Sequence, residues 1–263
     1  MNSSELKVIS GFINTLADIS KKITLEGFNS NFSSETKKDG SPVTKFDINA
    51  EQAICDQINR KFPDHNIIAE ENGSINKESD YTWIIDPIDG TRSYVIGRPL
   101  WGTLIGLAYK DQPIIGLADF PALNERWLGF DNKCFLNNHE FNHKPKIISN
   151  ISDATIGSTS PSLFSIKTIK KFNKLLDATK HNIWSGDCHN YCLVLRGGLD
   201  LVVEEGLSAY DVLPLVPILK SQDIMITDWY GRNLKLENDV FYKYSTVVAN
   251  NPKLHESAIS LLK

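Results

Sequence analysis

The chain of 263 residues has little cysteine, no excess of basic charge and no long apolar run. Its four cysteines, Cys55, Cys134, Cys188 and Cys192, are few and irregularly spaced, so no disulfide framework is expected. Reduced thiols in the cytosol are the simplest reading. Lysine and arginine number 28 against 32 aspartates and glutamates, a formal net charge of -4, which argues against a general nucleic-acid binder. No segment approaches the roughly 20 apolar residues of a membrane span. Met1-Asn2-Ser3-Ser4-Glu5 lacks the basic and apolar regions of a signal peptide. Internal repeats and low-complexity segments are also missing. The expectation is a cytoplasmic globular protein with no nucleic-acid or membrane partner.

What is present begins with a soluble composition, 41% hydrophobic and 23% charged. Ile9, Phe12, Ile13, Leu16 and Ile23 share one face of a helix expected over residues 5–23. Lys37 to Pro42 reads as an exposed loop, and Thr44-x-x-Asp47 as a capping box opening a second helix that buries Ile54, Ile58 and Phe62. Leu104-Tyr109 and Ile114-Phe120 flank a turn at Lys110-Pro113, so antiparallel sheet is expected in the first half. The second half alternates: strands at Ala154-Ser158, Leu201-Glu204, Ile224-Thr227 and Ser245-Ala249, and helices at Leu163-Leu176, Cys188-Leu195, Val212-Leu219 and Pro252-Leu262. That pattern predicts an α/β layer. A seam near residues 144–150 divides the chain into an N-terminal α+β half, 1–147, and a C-terminal α/β half, 148–263, of one catalytic unit.

One run carries most of the chemistry: Trp83-Ile84-Ile85-Asp86-Pro87-Ile88-Asp89-Gly90-Thr91-Arg92-Ser93. An apolar strand ends on a carboxylate, a second follows three residues later, and Gly-Thr can open a helix. With Glu70, which ends another short apolar run, the acids converge if the strands are neighbours. Converging carboxylates repel unless a cation neutralises them. Mg²⁺ suits such a site because it takes oxygen ligands, keeps waters and accepts phosphate oxygens. Pro87 keeps Asp86 extended, and the chain is expected to turn sharply before Asp89, leaving the Ile88 carbonyl able to face the cation. The Gly90 and Thr91 amides are then placed to bind a phosphate oxygen. The plain alternative is a set of surface acids followed by an ordinary turn.

Asp86-Pro87-Ile88-Asp89-Gly90-Thr91 resembles the signature of the inositol monophosphatase-like, metal-dependent phosphatases. Glu70-Glu71, Pro42-Val43-Thr44-x-x-Asp47 and Glu204-x-Gly206-x-x-x-Tyr210-Asp211 are similar to further segments of that family. Two features depart from its pattern: Tyr210 stands where Trp is common, and Lys220-Ser221-Gln222-Asp223 replaces a usual glycine pair. The resemblance implies a layered αβαβα sandwich of the inositol monophosphatase/fructose-1,6-bisphosphatase type and two or three Mg²⁺ ions. It implies Glu70, Asp86 and the Ile88 carbonyl as ligands of one ion, and Asp86, Asp89 and Asp211 as ligands of a second. A third ion near Glu70, helped by Thr91, would activate the attacking water, with Asp47 orienting water beside the metals. It also implies a small phosphorylated substrate and a homodimer, to which apolar Trp101-Ile105 or Leu163-Phe164 could contribute.

Gly90-Thr91-Arg92-Ser93-Tyr94-Val95-x-Gly97-x-Pro99-Leu100-Trp101-Gly102-Thr103 resembles the histidinol-phosphate phosphatase branch, as do Gly186-Asp187-Cys188 and Thr227-Asp228-Trp229-x-Gly231. Arg92, Asp187 and Glu204 are candidate substrate contacts, because histidinol phosphate carries a cationic amine that a carboxylate can pair with. Asp187 could instead cap the helix beginning at Cys188. Two alternatives stand beside a histidinol-phosphate phosphatase. One is an inositol monophosphatase or related small-ester phosphatase; the other is a non-catalytic phosphate-binding protein. Cys188-His189-x-x-Cys192 has the look of a zinc fragment but lacks four ligands, and reads as a packed helix face.

Overall fold

Period-two alternation along the strands sorts their side chains into separate cores. The structure, a computed structural model, describes residues 3–38, 40–142 and 148–263. Asp39, in the loop read from Lys37 to Pro42, and residues 143–147, where the expected junction between the halves falls, lie outside the described residues.

Among the described residues, eight strands form one sheet. In spatial order they are His139–Phe141, Lys133–Leu136, Glu125–Phe130, Gln112–Phe120, Gly102–Tyr109, Tyr81–Asp89, Asn66–Ala69 and Gly73–Ile75. Neighbours run antiparallel except Asn66–Ala69, which lies parallel to Tyr81–Asp89. That pairing brings Glu70 beside the end of the strand carrying Asp86. A second sheet orders His181–Trp184, Thr155–Ser158, Leu201–Leu207, Tyr244–Ala249 and Met225–Thr227.

The layers follow from the alternation. Trp83 and Ile85 point to a core shared with the helices Ser3–Phe28 and Lys45–Lys61, while Ile84 between them points to the opposite face. Leu104 and Ile105 divide in the same way. Val202 and Val248 of the second sheet face Ile84 and Leu104 across the short helices His189–Leu195, Ala209–Val212 and Leu215–Lys220. Leu201, Val203 and Val247 face outward onto helices Ile169–Ala178 and Pro252–Leu262. Helix, sheet, helix, sheet, helix is the expected αβαβα sandwich. Each fully buried aliphatic side chain contributes about 1.5–3 kcal/mol.

The middle layer lies unusually close to the first sheet. A Cβ on Gly116 would overlap the Pro214 carbonyl, and one on Gly129 would overlap the Ile218 backbone. Two glycines thus let the Leu215–Lys220 helix sit directly on the strands, and the contact at Pro214 lies three residues from Asp211.

Several expectations change. The helix expected at Leu163-Leu176 begins only at Ile169, because Glu205 accepts hydrogen bonds from Ser165 N and the Thr168 hydroxyl and holds the preceding residues in a turn. The one expected at Val212-Leu219 splits into Ala209–Val212 and Leu215–Lys220 around Pro214, which has no N–H to continue the ladder. The turn after Leu104-Tyr109 tightens to Lys110 and Asp111, with Lys110 at φ 56°. Trp101, Leu104 and Ile105 are fully buried inside the chain, so these three side chains offer no surface to a second copy; Phe164 stacks on Phe172 beside the half-buried Leu163. No helix among the described residues is long and apolar enough to cross a membrane.

Candidate active site

The strand Tyr81–Asp89 runs through the acidic motif without the sharp turn expected before Asp89. Pro87 offers no N–H, and the ladder to Gly102–Tyr109 slips by a bulge between Asp86 and Asp89. The Thr103 hydroxyl donates to the Pro87 carbonyl at 2.8 Å, and Ile88 N donates to Asp86 Oδ1 at 3.0 Å. The turn comes one residue later, at Gly90, with φ 83°. A Cβ there would stand 3.0 Å from Asp187 Oδ2 and 3.1 Å from the Leu100 carbonyl, tighter than ordinary contact, so glycine suits the space as well as the backbone. The short helix Thr91–Val95 follows.

Asp211 arrives from the other half of the chain. It sits third in a capping box opened by Ser208, whose N–H donates to Asp211 Oδ2 at 2.6 Å. Asp89 is held in the same manner, by Cys188 N at 2.7 Å. One carboxylate oxygen each of Asp86, Asp89 and Asp211 lie within 4.8 Å of one another. Each of the three acids therefore has an oxygen tied to a backbone amide and lone pairs left over. Burial raises the Asp86 carboxyl well above its ordinary range, reinforced by Glu70, Asp89 and Asp211. Burial, then Asp187 and Asp211, raise Asp89, and burial with Glu70 pushes Asp211 up to about 7. Hard oxygen donors that disfavour their own charge this strongly fit a divalent cation.

Glu70 lies at the rim of this cluster, where Lys37 Nζ approaches it at 2.8 Å and Glu71 at 2.6 Å. Asp47, fully buried, accepts from Thr44 N at 2.8 Å and the Thr44 hydroxyl at 2.5 Å through Oδ2. Its Oδ1 lies 3.5 Å from the Thr91 hydroxyl, which donates to the Ile88 carbonyl at 2.9 Å. Burial raises the Asp47 carboxyl.

These groups open onto a cavity of about 280 Å³ lined by Glu70, Asp89, Gly90, Thr91 and Arg92 on one side and Asp187, Glu204, Tyr210 and Asp211 on the other. Asp187, at φ 46°, does not cap the following helix; its Oδ2 accepts from the Ser93 hydroxyl at 3.4 Å. Burial pushes its carboxyl up to about 6, against the pull of Ser93, Arg92 and Arg98. Glu204 accepts three hydrogen bonds, from Thr159 N at 2.9 Å, the Thr159 hydroxyl at 2.5 Å and the Tyr191 hydroxyl at 2.8 Å. Cys188 and Cys192 are buried in the middle core and join no metal-ligating group among the described residues.

Sequence reasoning missed four contributors. Glu51, buried one turn after Asp47, accepts from Glu71 N at 2.8 Å and Asn72 N at 2.6 Å and so fixes the turn after Glu70. Its i, i+4 spacing from Asp47 was the available signal. Lys37, Tyr191 and Arg98 act through contacts between distant segments, which no local pattern marks.

The sequence pattern of the inositol monophosphatase family matches residues 5–263. The chain is 38% identical to the bifunctional phosphatase IMPL2, chloroplastic, of Arabidopsis thaliana, over all of this chain and 77% of that one. It is 30% identical to a histidinol-phosphatase of Mycobacterium tuberculosis over 87% of each. An inositol monophosphatase from Zymomonas mobilis superposes with a TM-score of 0.86 at 32% identity, covering 100% of this chain and 99% of that one. The sandwich, the acids gathered from both halves and a match along nearly the whole length agree: this chain belongs to the inositol monophosphatase family and is a metal-dependent phosphatase.

Proposed function

We propose that this phosphatase hydrolyses histidinol phosphate to histidinol and inorganic phosphate with Mg²⁺. The observation that carries the substrate is Asp187, a carboxylate on the cavity wall over Gly90, in reach of a cationic amine on an ester whose phosphate lies against Gly90 and Thr91. Proteins named histidinol-phosphatase in Chlorobaculum parvum and Mycobacterium tuberculosis, 29% and 30% identical to this chain, support it.

In this reading Glu70, Asp86, the Ile88 carbonyl, Asp89 and Asp211 hold the ions. Bound there, Mg²⁺ supplies positive charge to the phosphoryl oxygens and makes water a better nucleophile. Gly90 and Thr91 N–H groups, with no helical partners of their own, bind phosphate oxygens. Asp47 and the Thr91 hydroxyl orient the attacking water, and its proton passes through the Thr91 hydroxyl to the Asp47 carboxylate. The water oxygen bonds to phosphorus, the bond from phosphorus to the ester oxygen breaks, and the leaving alkoxide takes a proton from solvent, to which Asp47 returns the one it accepted. Arg92, at the cavity mouth, faces the ester's anionic end, and Asp187 and Glu204 face its cationic end.

Phosphate release from histidinol phosphate and from myo-inositol 1-phosphate tests the substrate. A charge-assisted pair contributes about 1.5–3 kcal/mol, so Asp187→Ala should raise KM for histidinol phosphate by roughly 10- to 100-fold and spare the inositol ester. Equal losses on both esters would rule out the role of Asp187. A second reading, myo-inositol 1-phosphate, has the hydroxyls of Thr159 and Tyr191 beside Glu204 in its favour. Higher kcat/KM on that ester would select it.

A further inference from the structure

Asp187 ends a turn of three successive residues with positive φ. Ser185, Gly186 and Asp187 have φ values of 73°, 119° and 46°, three successive residues in the left-handed half of backbone space. The Ser185 side chain disfavours that region, at a cost on the order of 1–2 kcal/mol, and Asp187, whose short polar side chain tolerates it better, does so at a smaller cost. Such a turn persists only where its surroundings fix it. Ser185 N donates to the Ser158 and Thr159 carbonyls at 3.1 and 3.0 Å, and Asn190 Nδ2 donates to the Ser185 carbonyl at 3.0 Å. Those contacts belong to the second half of the chain.

The tie to the phosphate side is Arg98. Its Nη1 donates to the Ser185 hydroxyl at 2.5 Å, and its own N–H donates to the Ser93 carbonyl at 2.9 Å. Ser93 in turn donates through its hydroxyl to Asp187 Oδ2. Ser93, Arg98, Ser185 and Asp187 close a ring that joins the short helix after Gly90 to the strained turn. The guanidiniums of Arg98 and Arg92 also favour the charged form of Asp187.

We propose that Arg98 is a positioning residue for Asp187, and that through it the ring sets selectivity for a phosphate ester bearing a cationic group. This rests on the function proposed above. Arg98 touches no reacting atom in this scheme, so its loss acts on substrate affinity and not on turnover.

The test is a double-mutant cycle read as KM and kcat on histidinol phosphate and myo-inositol 1-phosphate. Arg98→Ala should raise KM for histidinol phosphate on the order of tenfold, with kcat held within about twofold, and change the inositol ester far less. Arg98→Lys, which keeps a donor and a charge, should recover part of the loss. In an Asp187→Ala background, Arg98→Ala should add almost nothing, because the group it positions is gone. Additive effects in the cycle, or equal losses on both esters, would overturn the positioning role while leaving the substrate assignment intact. A wild-type preference for the inositol ester would overturn that assignment and this inference with it.

Discussion

Gly90 joins the strand that carries Asp86 and Asp89 to the Asp187 side of the cavity at a single residue. Its φ of 83° and the 3.0 Å approach of Asp187 Oδ2 would strain and crowd a methyl group. Gly90→Ala should cost about 1–3 kcal/mol of stability, measured by denaturant unfolding, and should raise KM for any phosphate ester. A variant with unchanged stability and KM would show that the loop relaxes freely. The motif around Gly90 was legible because its parts are contiguous: apolar strand, two acids, glycine and a helix opener. Glu51 was not read although it lies on the same helix face as Asp47, because its two acceptor bonds reach backbone amides some twenty residues away. Arg98 and Ser185 are 87 residues apart, and no local pattern links them.

The elements show where periodicity succeeds and where it fails. Helix Lys45–Lys61 begins at the capping box read from Thr44 and Asp47, since that signal lies within four residues. The strand His181–Trp184 escaped notice because its order, two polar residues and then Ile183 and Trp184, does not alternate and is too short to set a period. The break at Pro214 was readable in principle from proline's missing donor. The packing partner of Pro214 lies in the eight-stranded sheet, where Gly116 admits the Pro214 carbonyl. That contact stands three residues from Asp211. Gly116→Ala should therefore push this segment off the sheet, cost about 1–3 kcal/mol, and weaken Mg²⁺ binding measured by calorimetry. Loss of stability with unchanged Mg²⁺ affinity would mean that Asp211 is positioned independently of the layer packing.

Across the whole molecule, the site exists only because two sheets and the helices between them bring acids from distant segments to one cavity. The layers were legible from strand alternation together with the family resemblance; the closeness of the middle layer was not, since it depends on glycines meeting a helix from another part of the chain. Gathering buried acids gives the protein a pH signature. Glu204 has an ordinary value of 4.5, and burial, opposed by the bonds from Thr159 and Tyr191, pushes it up to about 7 in the folded chain. Between those values the native state holds a proton that the unfolded chain has released, so this contribution to stability is full below about pH 4.5 and is lost as pH rises through about 7. With chelator present, Tm of the wild type should fall between about pH 5 and 8 more steeply than Tm of Glu204→Gln. Parallel curves would contradict the assignment. The central claim, that acids from both halves hold the catalytic metal, is tested most directly by Mg²⁺-dependent phosphate release from histidinol phosphate by the wild type and Asp89→Asn. Changing residues around a metal typically costs 10- to 100-fold, so loss of a ligand should lower kcat at saturating Mg²⁺ by at least about 100-fold while the circular dichroism of the fold is retained. Near-normal kcat in Asp89→Asn would contradict the account.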